Sequence, residues 1–158
     1  MTTTKAAALD FLASRRIAVT GVSRTPENHG SNVVYARLKE RGYEAFAVNP
    51  ATDRIGEEPA YPSLTAIPGG VDAVVIGTRP EHALATMAEA VGLGIGKVWM
   101  HRGFGPGSVS AAATEYGRAH GVVVIDGGCP LMFGPTADSG HRFMCRMLRL
   151  TGKIPRSV

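Results

Sequence analysis

The 158-residue chain has little cysteine, few aromatic residues and no long apolar run, and each shortage argues against a class of protein. Two cysteines, Cys129 and Cys145, are too few for a disulfide framework and are not spaced as a C-x-x-C motif, so a reducing cytoplasm is expected. Aromatic residues make up 6% and no Lys/Arg block occurs, which argues against a nucleic-acid partner. Apolar runs such as 73–76 and 122–125 are far shorter than the roughly 18 residues of a membrane span. The first residues also lack the apolar core of a secretory signal.

The sequence is rich in glycine and has more basic than acidic residues. There are 20 glycines and 10 prolines, so many tight turns are expected. Seventeen basic against thirteen acidic residues give a net charge of +4, which favours an anionic partner, with phosphate as the first candidate. The length predicts one domain spanning residues 1–158.

Short β-branched runs alternate with helical stretches along the chain. The predicted strands are 17–22, 43–48, 71–77, 97–100 and 122–125. The predicted helices are about 4–15, 33–41, 80–93, 108–120 and 139–150, and residues 51–70 are expected to form turns with a short helical turn at 63–67. This alternation predicts an α/β fold, a doubly wound, Rossmann-like parallel sheet of about five strands, followed by a C-terminal extension over about 128–158.

The N-terminal helix is expected to begin at a threonine. Thr3 or Thr4 would cap it, because a threonine hydroxyl can accept from a free amide of the first turn. The helix would bury Leu9, Phe11 and Leu12.

The loop after the first strand is the first candidate ligand site, because ligands of such sheets lie outside the carboxyl ends of the strands. It reads Gly21, Val22, Ser23, Arg24. A glycine bend before a helix start, with an arginine beside it, suits a diphosphate. An ordinary tight turn is the alternative, since the loop has neither the G-x-G-x-x-G nor the G-x-x-x-x-G-K-[ST] spacing.

The ends of the next three strands supply the other candidate binding residues. These are Asn49 and Pro50 after strand two, Thr78, Arg79 and Pro80 after strand three, and Met100 and His101 after strand four. Asn49 stands where an NAD-binding fold has an acidic residue, which disfavours NAD and leaves another adenosine nucleotide possible. The alternatives are a turn set by Asn-Pro, a solvated Arg79 and a bystander His101.

Cys129 follows strand five and so also points toward the carboxyl edge. It is either a structural cysteine or a reactive thiol, and the second role needs a neighbouring base or positive charge. His141 and Cys145, four residues apart, with Asp138 or Cys129, do not have the spacing of a zinc site, so no metal is predicted.

The last predicted helix carries a basic stripe of Arg142, Arg146 and Arg149. Its apolar side is expected to comprise Phe143, Met144, Met147 and Leu148. The stripe is interpreted as a solvated face, with an acidic partner or a second subunit as the alternative.

Five segments taken in order resemble those of stand-alone CoA-binding domain proteins, which are similar to the N-terminal Rossmann-like domain of the succinyl-CoA synthetase alpha subunit. The segments are 17–23, 42–50, 61–64, 71–76 and 97–100, and the resemblance covers about residues 10–130. It implies a ligand, coenzyme A or an acyl-CoA. It also implies phosphates at Gly21–Arg24, adenosine beside Asn49 and Pro50, adenine or ribose at Thr78–Pro80, and ligand contact near Met100 and His101.

The resemblance also bears on activity. Relatives often have Gln where this chain has His101, and 158 residues leave no room for the synthetase's phosphohistidine domain. We therefore expect a non-catalytic carrier, sensor or regulator with no catalytic residues, in the cytoplasm, with a homo-oligomer or another protein as possible partner. The alternatives are a nucleotide-dependent enzyme, either a small oxidoreductase or part of an acyl-CoA ligase, and an interaction protein that binds no nucleotide.

Overall fold

The computed structural model describes residues 2–25, 30–103, 105, 107–134 and 137–158. The strands are β1 (Arg16–Thr20), β2 (Glu44–Val48), β3 (Arg54–Ile55), β4 (Glu58–Tyr61), β5 (Ala73–Ile76), β6 (Lys97–Met100) and β7 (Val123–Asp126). The helices are α1 (Thr4–Leu12), α2 (Gly30–Glu40), α3 (Pro80–Gly92), α4 (Ala111–Ala119) and α5 (Ser139–Leu150), with a 3₁₀ turn at Pro130–Met132. None of the described helices is long and apolar enough to cross a bilayer.

One sheet of seven strands runs in the order β3-β4-β2-β1-β5-β6-β7. All neighbouring strands are parallel except β3 and β4. From β1 the chain builds outward through β2 and β4, then returns to β5 on the other side of β1, so the strand order switches between β1 and β5. The predicted α/β fold and doubly wound sheet are confirmed.

The prediction of about five strands was too low by two. Strands β3 and β4 lie in the segment 51–70, for which only turns were expected. They form a small hairpin around Gly56, which adopts φ +61°. The strands of two and four residues contain Pro59 and charged side chains, so they leave no apolar alternation to detect.

Buried side chains cover both faces of the sheet. On one face, residues of α1, α2 and α5 pack with the strands around Trp99. On the other face, α3 and α4 pack around Val74, Val98 and Met100. Strands β5 and β6 are buried on both sides, as expected for the centre of a doubly wound sheet.

Trp99, in β6, packs against both the N-terminal helix and the C-terminal extension. Its ring meets Phe11 of α1 edge-to-face at 5.3 Å and lies 5.5 Å from the ring of Phe133. Its Nε1 donates to the Gly127 carbonyl at 2.9 Å, so the buried polar atom is satisfied. The N-terminal helix and the C-terminal extension are therefore parts of the one core.

Helix ends agree with the predictions in part. Thr3 caps α1, as expected, while Leu9 is 46% exposed and does not join Phe11 in the core. Helix α4 is capped by Ser110 rather than Ser108. Helix α5 has the predicted bounds. Of its predicted apolar side, Leu148 is buried and Met144 packs against the core, whereas Phe143 and Met147 are exposed.

Candidate functional site at the carboxyl edge

A cleft of about 370 Å³ opens at the carboxyl edge of the sheet, next to the switch between β1 and β5. Its described lining comes from the start of α2 and from the segments after β5 and β6. The lining residues are Gly30, Ser31, Gly77, Thr78, Arg79, His101, Gly103, Gly105, Gly107 and Ser108. This is the position at which the topology predicts a ligand.

Two glycines let three backbone segments meet at the base of the cleft. Gly21 adopts φ +79°, and a Cβ there would lie 2.6 Å from the Gly77 carbonyl oxygen. A Cβ on Gly77 would lie 1.9 Å from Ser31 Oγ and 2.7 Å from the Thr20 carbonyl oxygen. Only glycine allows this approach, which brings the first residues of α2 against the end of β5. The amides at the described start of α2 therefore lie at the cleft.

Hydrogen bonds fix the same junction. Ser31 Oγ donates to the Gly77 carbonyl at 3.1 Å, and the Gly77 amide donates to Thr20 Oγ1 at 3.1 Å. Both bonds tie the start of α2 and the end of β1 to the end of β5. Sequence reasoning missed Ser31 and Gly77, although Gly77 follows a buried strand directly.

Two asparagines shape the first loop. Asn32 accepts from the Ser23 amide at 2.9 Å and donates to the Ser23 carbonyl at 2.7 Å. Asn49 donates to the Val22 carbonyl at 2.9 Å and accepts from the Ala51 amide at 2.7 Å. Because both polar atoms of Asn49 have partners in the protein, its visible role is to position the loop. Asn32 was missed, because its contact depends on how α2 folds back on the loop.

The segment after β5 offers a hydroxyl without a partner. Thr78 Oγ1 is buried and makes no hydrogen bond with any described residue. Arg79 is exposed at the N-cap of α3, and Pro80 occupies the first turn, where a missing N–H costs nothing. Thr78 and Arg79 both line the cleft, and the exposed Arg79 is a cation available to a ligand.

His101 lines the cleft and packs over the start of α2. A Cβ on Gly30 would lie 3.2 Å from His101 Cε1, so glycine leaves room for the ring. The His101 amide donates to Ile76 at 3.0 Å, and its carbonyl accepts from Ser108 at 2.8 Å. Burial lowers the pKa of the imidazole, which is therefore neutral near pH 7 and can both donate and accept.

The other predicted site residues lie outside the cleft wall. Val22 and Met100 are fully buried in the core, so neither side chain reaches the cleft. Arg24 and Pro50 are exposed and are not among the described lining residues. Residues 26–29, the remainder of the first loop, lie outside the described residues.

The cleft suits an anion more through its backbone than through charged side chains. Among the described lining residues there is no carboxylate, and Arg79 is the one permanently charged side chain. The described part of helix α2 begins at the cleft and carries no acidic residue in its first turn, and the helix dipole places its positive end there. Such an arrangement binds phosphate oxygens through amides and a single cation.

Cys129 is a structural cysteine. It is 3% exposed in the core, and burial raises the pKa of its thiol to about 12. The thiolate needed for nucleophilic attack is therefore not formed near neutral pH.

The His141 and Asp138 pair belongs to a helix start. Asp138 caps α5 by accepting from the His141 amide at 2.7 Å, and this bond lowers the pKa of its carboxyl group. No group of three potential metal ligands was found among the described residues.

A doubly wound sheet with a glycine-lined cleft at its strand switch is the architecture of a Rossmann-like domain. A model of the CoA binding domain family matches residues 15–135. The chain belongs to this family, and the resemblance inferred from the sequence is confirmed at that level.

Known proteins of several organisms are similar to the chain. An ADP-forming acetate–CoA ligase of Archaeoglobus fulgidus is 33% identical over 124 residues, covering 73% of this chain and 18% of the ligase. The uncharacterized protein YneT of Bacillus subtilis is 30% identical over 113 residues, covering 72% of this chain and 81% of YneT. A conserved hypothetical protein of Pyrococcus furiosus has a TM-score of 0.61 and 32% identity, covering 70% of this chain and 90% of that one. The chain thus spans less than a fifth of the ligase and most of the smaller proteins.

Proposed function

We propose that the chain binds coenzyme A or an acyl-CoA in the carboxyl-edge cleft and acts as a non-catalytic carrier, sensor or regulator. The observation that carries the proposal is the juxtaposition of the α2 start with Thr78, Arg79 and His101 in a cleft whose described lining has no carboxylate. Coenzyme A presents phosphates and an adenosine, and membership of the CoA-binding domain family supports this ligand class.

In the proposed complex, phosphate oxygens lie against the amides at Gly30 and Ser31 and near the Gly21–Arg24 loop. The Thr78 hydroxyl, which has no hydrogen-bond partner among the described residues, donates to an oxygen of the ligand after a small shift of the surrounding chain exposes it. Arg79 provides the charge, and the neutral His101 ring borders the more distal part of the ligand, where relatives often have Gln.

A non-catalytic role is proposed because the cleft offers little to carry out a reaction. Among its described lining residues, His101 is the one side chain able to exchange a proton near neutral pH, and Ser31 Oγ donates to the Gly77 carbonyl. Cys129, the other candidate, is buried with a raised thiol pKa. A nucleophile and a base in mutual contact, as acyl transfer requires, are not present among these residues. A cytoplasmic location belongs to the same proposal and is supported by two free, buried cysteines.

Thermal unfolding with CoA, NAD and ATP in parallel tests the proposal. A ligand that binds the folded state stabilises it by mass action, so CoA should raise the unfolding temperature more than NAD or ATP. Arg79→Ala should reduce the CoA effect. Arg15→Ala is the matched control, because Arg15 lies before β1 at the opposite edge of the sheet, paired with Glu44. A rise with NAD alone, or equal CoA effects in the two variants, would refute the proposed site.

A further inference from the structure

The positive charge of the chain is concentrated at its C-terminal end. Residues 139–158 contain five basic residues and no acidic one, whereas residues 1–138 contain twelve basic and thirteen acidic residues. The net charge of +4 therefore originates outside the part of the chain that forms the cleft. A segregated block of one sign is typical of an interaction surface.

Helix α5 displays this charge beside exposed apolar side chains. Arg142, Arg146 and Arg149 recur at i, i+4 and i+7 and are all exposed. Phe143, Met147 and Leu150 form a parallel apolar stripe and are 63%, 39% and 78% exposed. The inner face of the helix is already used, because Cys145 and Leu148 are buried in the core. The residues of the two outward stripes are therefore exposed and do not form part of the core.

The helix dipole favours Arg149, in the last turn of α5, but does not account for the other two arginines. Arg142 lies in the first turn of α5, where the positive end of the helix dipole disfavours a cation. Arginines and lysines elsewhere form ion pairs, such as Arg16 with Glu44 and Lys39 with Glu58. Among the described residues, none of the three α5 arginines pairs with a carboxylate, although Arg149 lies over the Phe133 ring.

A groove continues the two stripes at the C-terminal end of α5. Its volume is about 510 Å³, and its lining includes Lys5, Arg149, Leu150 and Arg156 and no carboxylate among the described residues. The groove is preformed, because the Thr4 amide donates to the Arg156 carbonyl at 3.1 Å and the Val158 amide donates to the Thr2 carbonyl at 3.0 Å. We call the two stripes and this groove the basic face.

We propose that the basic face binds an acidic, amphipathic segment of a partner protein. Carboxylates of the partner would pair with Arg142, Arg146 and Arg149, and its apolar side chains would cover Phe143, Met147 and Leu150. Charge complementarity selects the acidic partner, and the concave groove with Leu150 in its wall favours an inserted side chain over a flat lipid surface. All residues of the basic face, including the N-terminal part of the groove, lie outside residues 15–135, which match the family model.

The direct test uses fluorescence anisotropy with the full chain and a short fluorescein-labelled peptide that repeats Glu and Leu at helical spacing. The peptide should bind, and raising the salt concentration should weaken binding. A peptide with Gln in place of Glu should not bind. The triple variant Arg142→Ser, Arg146→Ser, Arg149→Ser should lose about tenfold in affinity for the Glu peptide. The variant Phe143→Ser, Leu150→Ser should also bind it more weakly.

The matched control removes three cations that lie away from α5, as Arg15→Ser, Arg54→Ser, Arg118→Ser: Arg15 pairs with Glu44, Arg54 lies in the edge strand β3, and Arg118 of α4 pairs with Asp126. It should bind the Glu peptide as the unaltered chain does. Equal loss in the control, equal binding of the Gln peptide, or tight binding to phosphatidylserine vesicles without peptide binding would overturn the proposal. Self-association abolished by Phe143→Ser would also overturn it, because a second copy would then cover the face. Unfolding temperatures of all variants verify that they fold, and CoA affinity serves as a separate readout of the cleft.

Discussion

The cleft and the basic face offer anion recognition of opposite kinds. At the cleft, the positive potential comes from the start of α2 and one exposed cation, Arg79, while the His101 ring is neutral. On α5, three arginines stand at helical spacing beside exposed apolar side chains. The first arrangement is shaped by glycines and buried hydrogen bonds, whereas the second depends on side chains and is screened by salt. Overall charge therefore does not locate the small-molecule site.

The largest expected effect on stability comes from removing a buried aromatic ring, and removing an exposed ring of the basic face is the comparison. Trp99→Ala should reduce the free energy of unfolding by about 3–5 kcal/mol, because it leaves a cavity against Phe11 and Phe133. Phe143→Ala should change it by less than about 0.5 kcal/mol, since this ring is mostly in solvent. Urea unfolding measures both values. A large loss from Phe143→Ala would mean that α5 buries its outer face, and the basic face would then not be a free surface.

A second pair of variants tests the tight junction below the cleft. Gly77→Ala should cost about 1–3 kcal/mol, because the new methyl group meets Ser31 Oγ and the Thr20 carbonyl. Gly92→Ala is the control, since a Cβ there has no neighbour within 4 Å. Urea unfolding measures the stability of both variants. Equal stabilities of the two variants would show that the start of α2 does not press against β5.

The sequence predicts those features of this junction that depend on residues close together in the chain. It does not predict contacts between residues that are far apart in the chain. The ends of β2, β5 and β6 were predicted to within one residue and the end of β1 to within two, because each is a short buried run followed by polar or turn residues, and this located Thr78, Arg79 and His101 at one edge. Ser31 and Gly77 were missed, since their importance arises only when α2 approaches β5. Met100 was placed in the site because it is the last residue of the predicted strand 97–100, yet its side chain is buried in the core. The outer face of α5 was misassigned for a similar reason, because apolar residues occur on both sides of that helix.

The smallest expected effect concerns pH. Burial lowers the pKa of His101 in the folded chain below its ordinary value of about 6.5, so the unfolded chain takes up a proton first as the pH falls. The free energy of unfolding should therefore be constant with respect to this group above about pH 6.5 and decrease below it, down to the folded pKa. His101→Gln should decrease less over the same range, measured by urea unfolding between about pH 7 and 5. Parallel pH profiles for both proteins would show that the ring is not desolvated over Gly30.

The most direct test of the central claim is an NMR titration of the ¹⁵N-labelled chain with coenzyme A. The cleft should respond through the amides of Gly30, Ser31, Gly77, Thr78 and His101, while the amides of α5 from Arg142 to Leu150 stay in place. Saturable shifts confined to these cleft amides are the predicted result. Shifts on α5 with an unchanged cleft, or no saturable shift at either place, would contradict the claim that the carboxyl edge of the sheet binds this coenzyme.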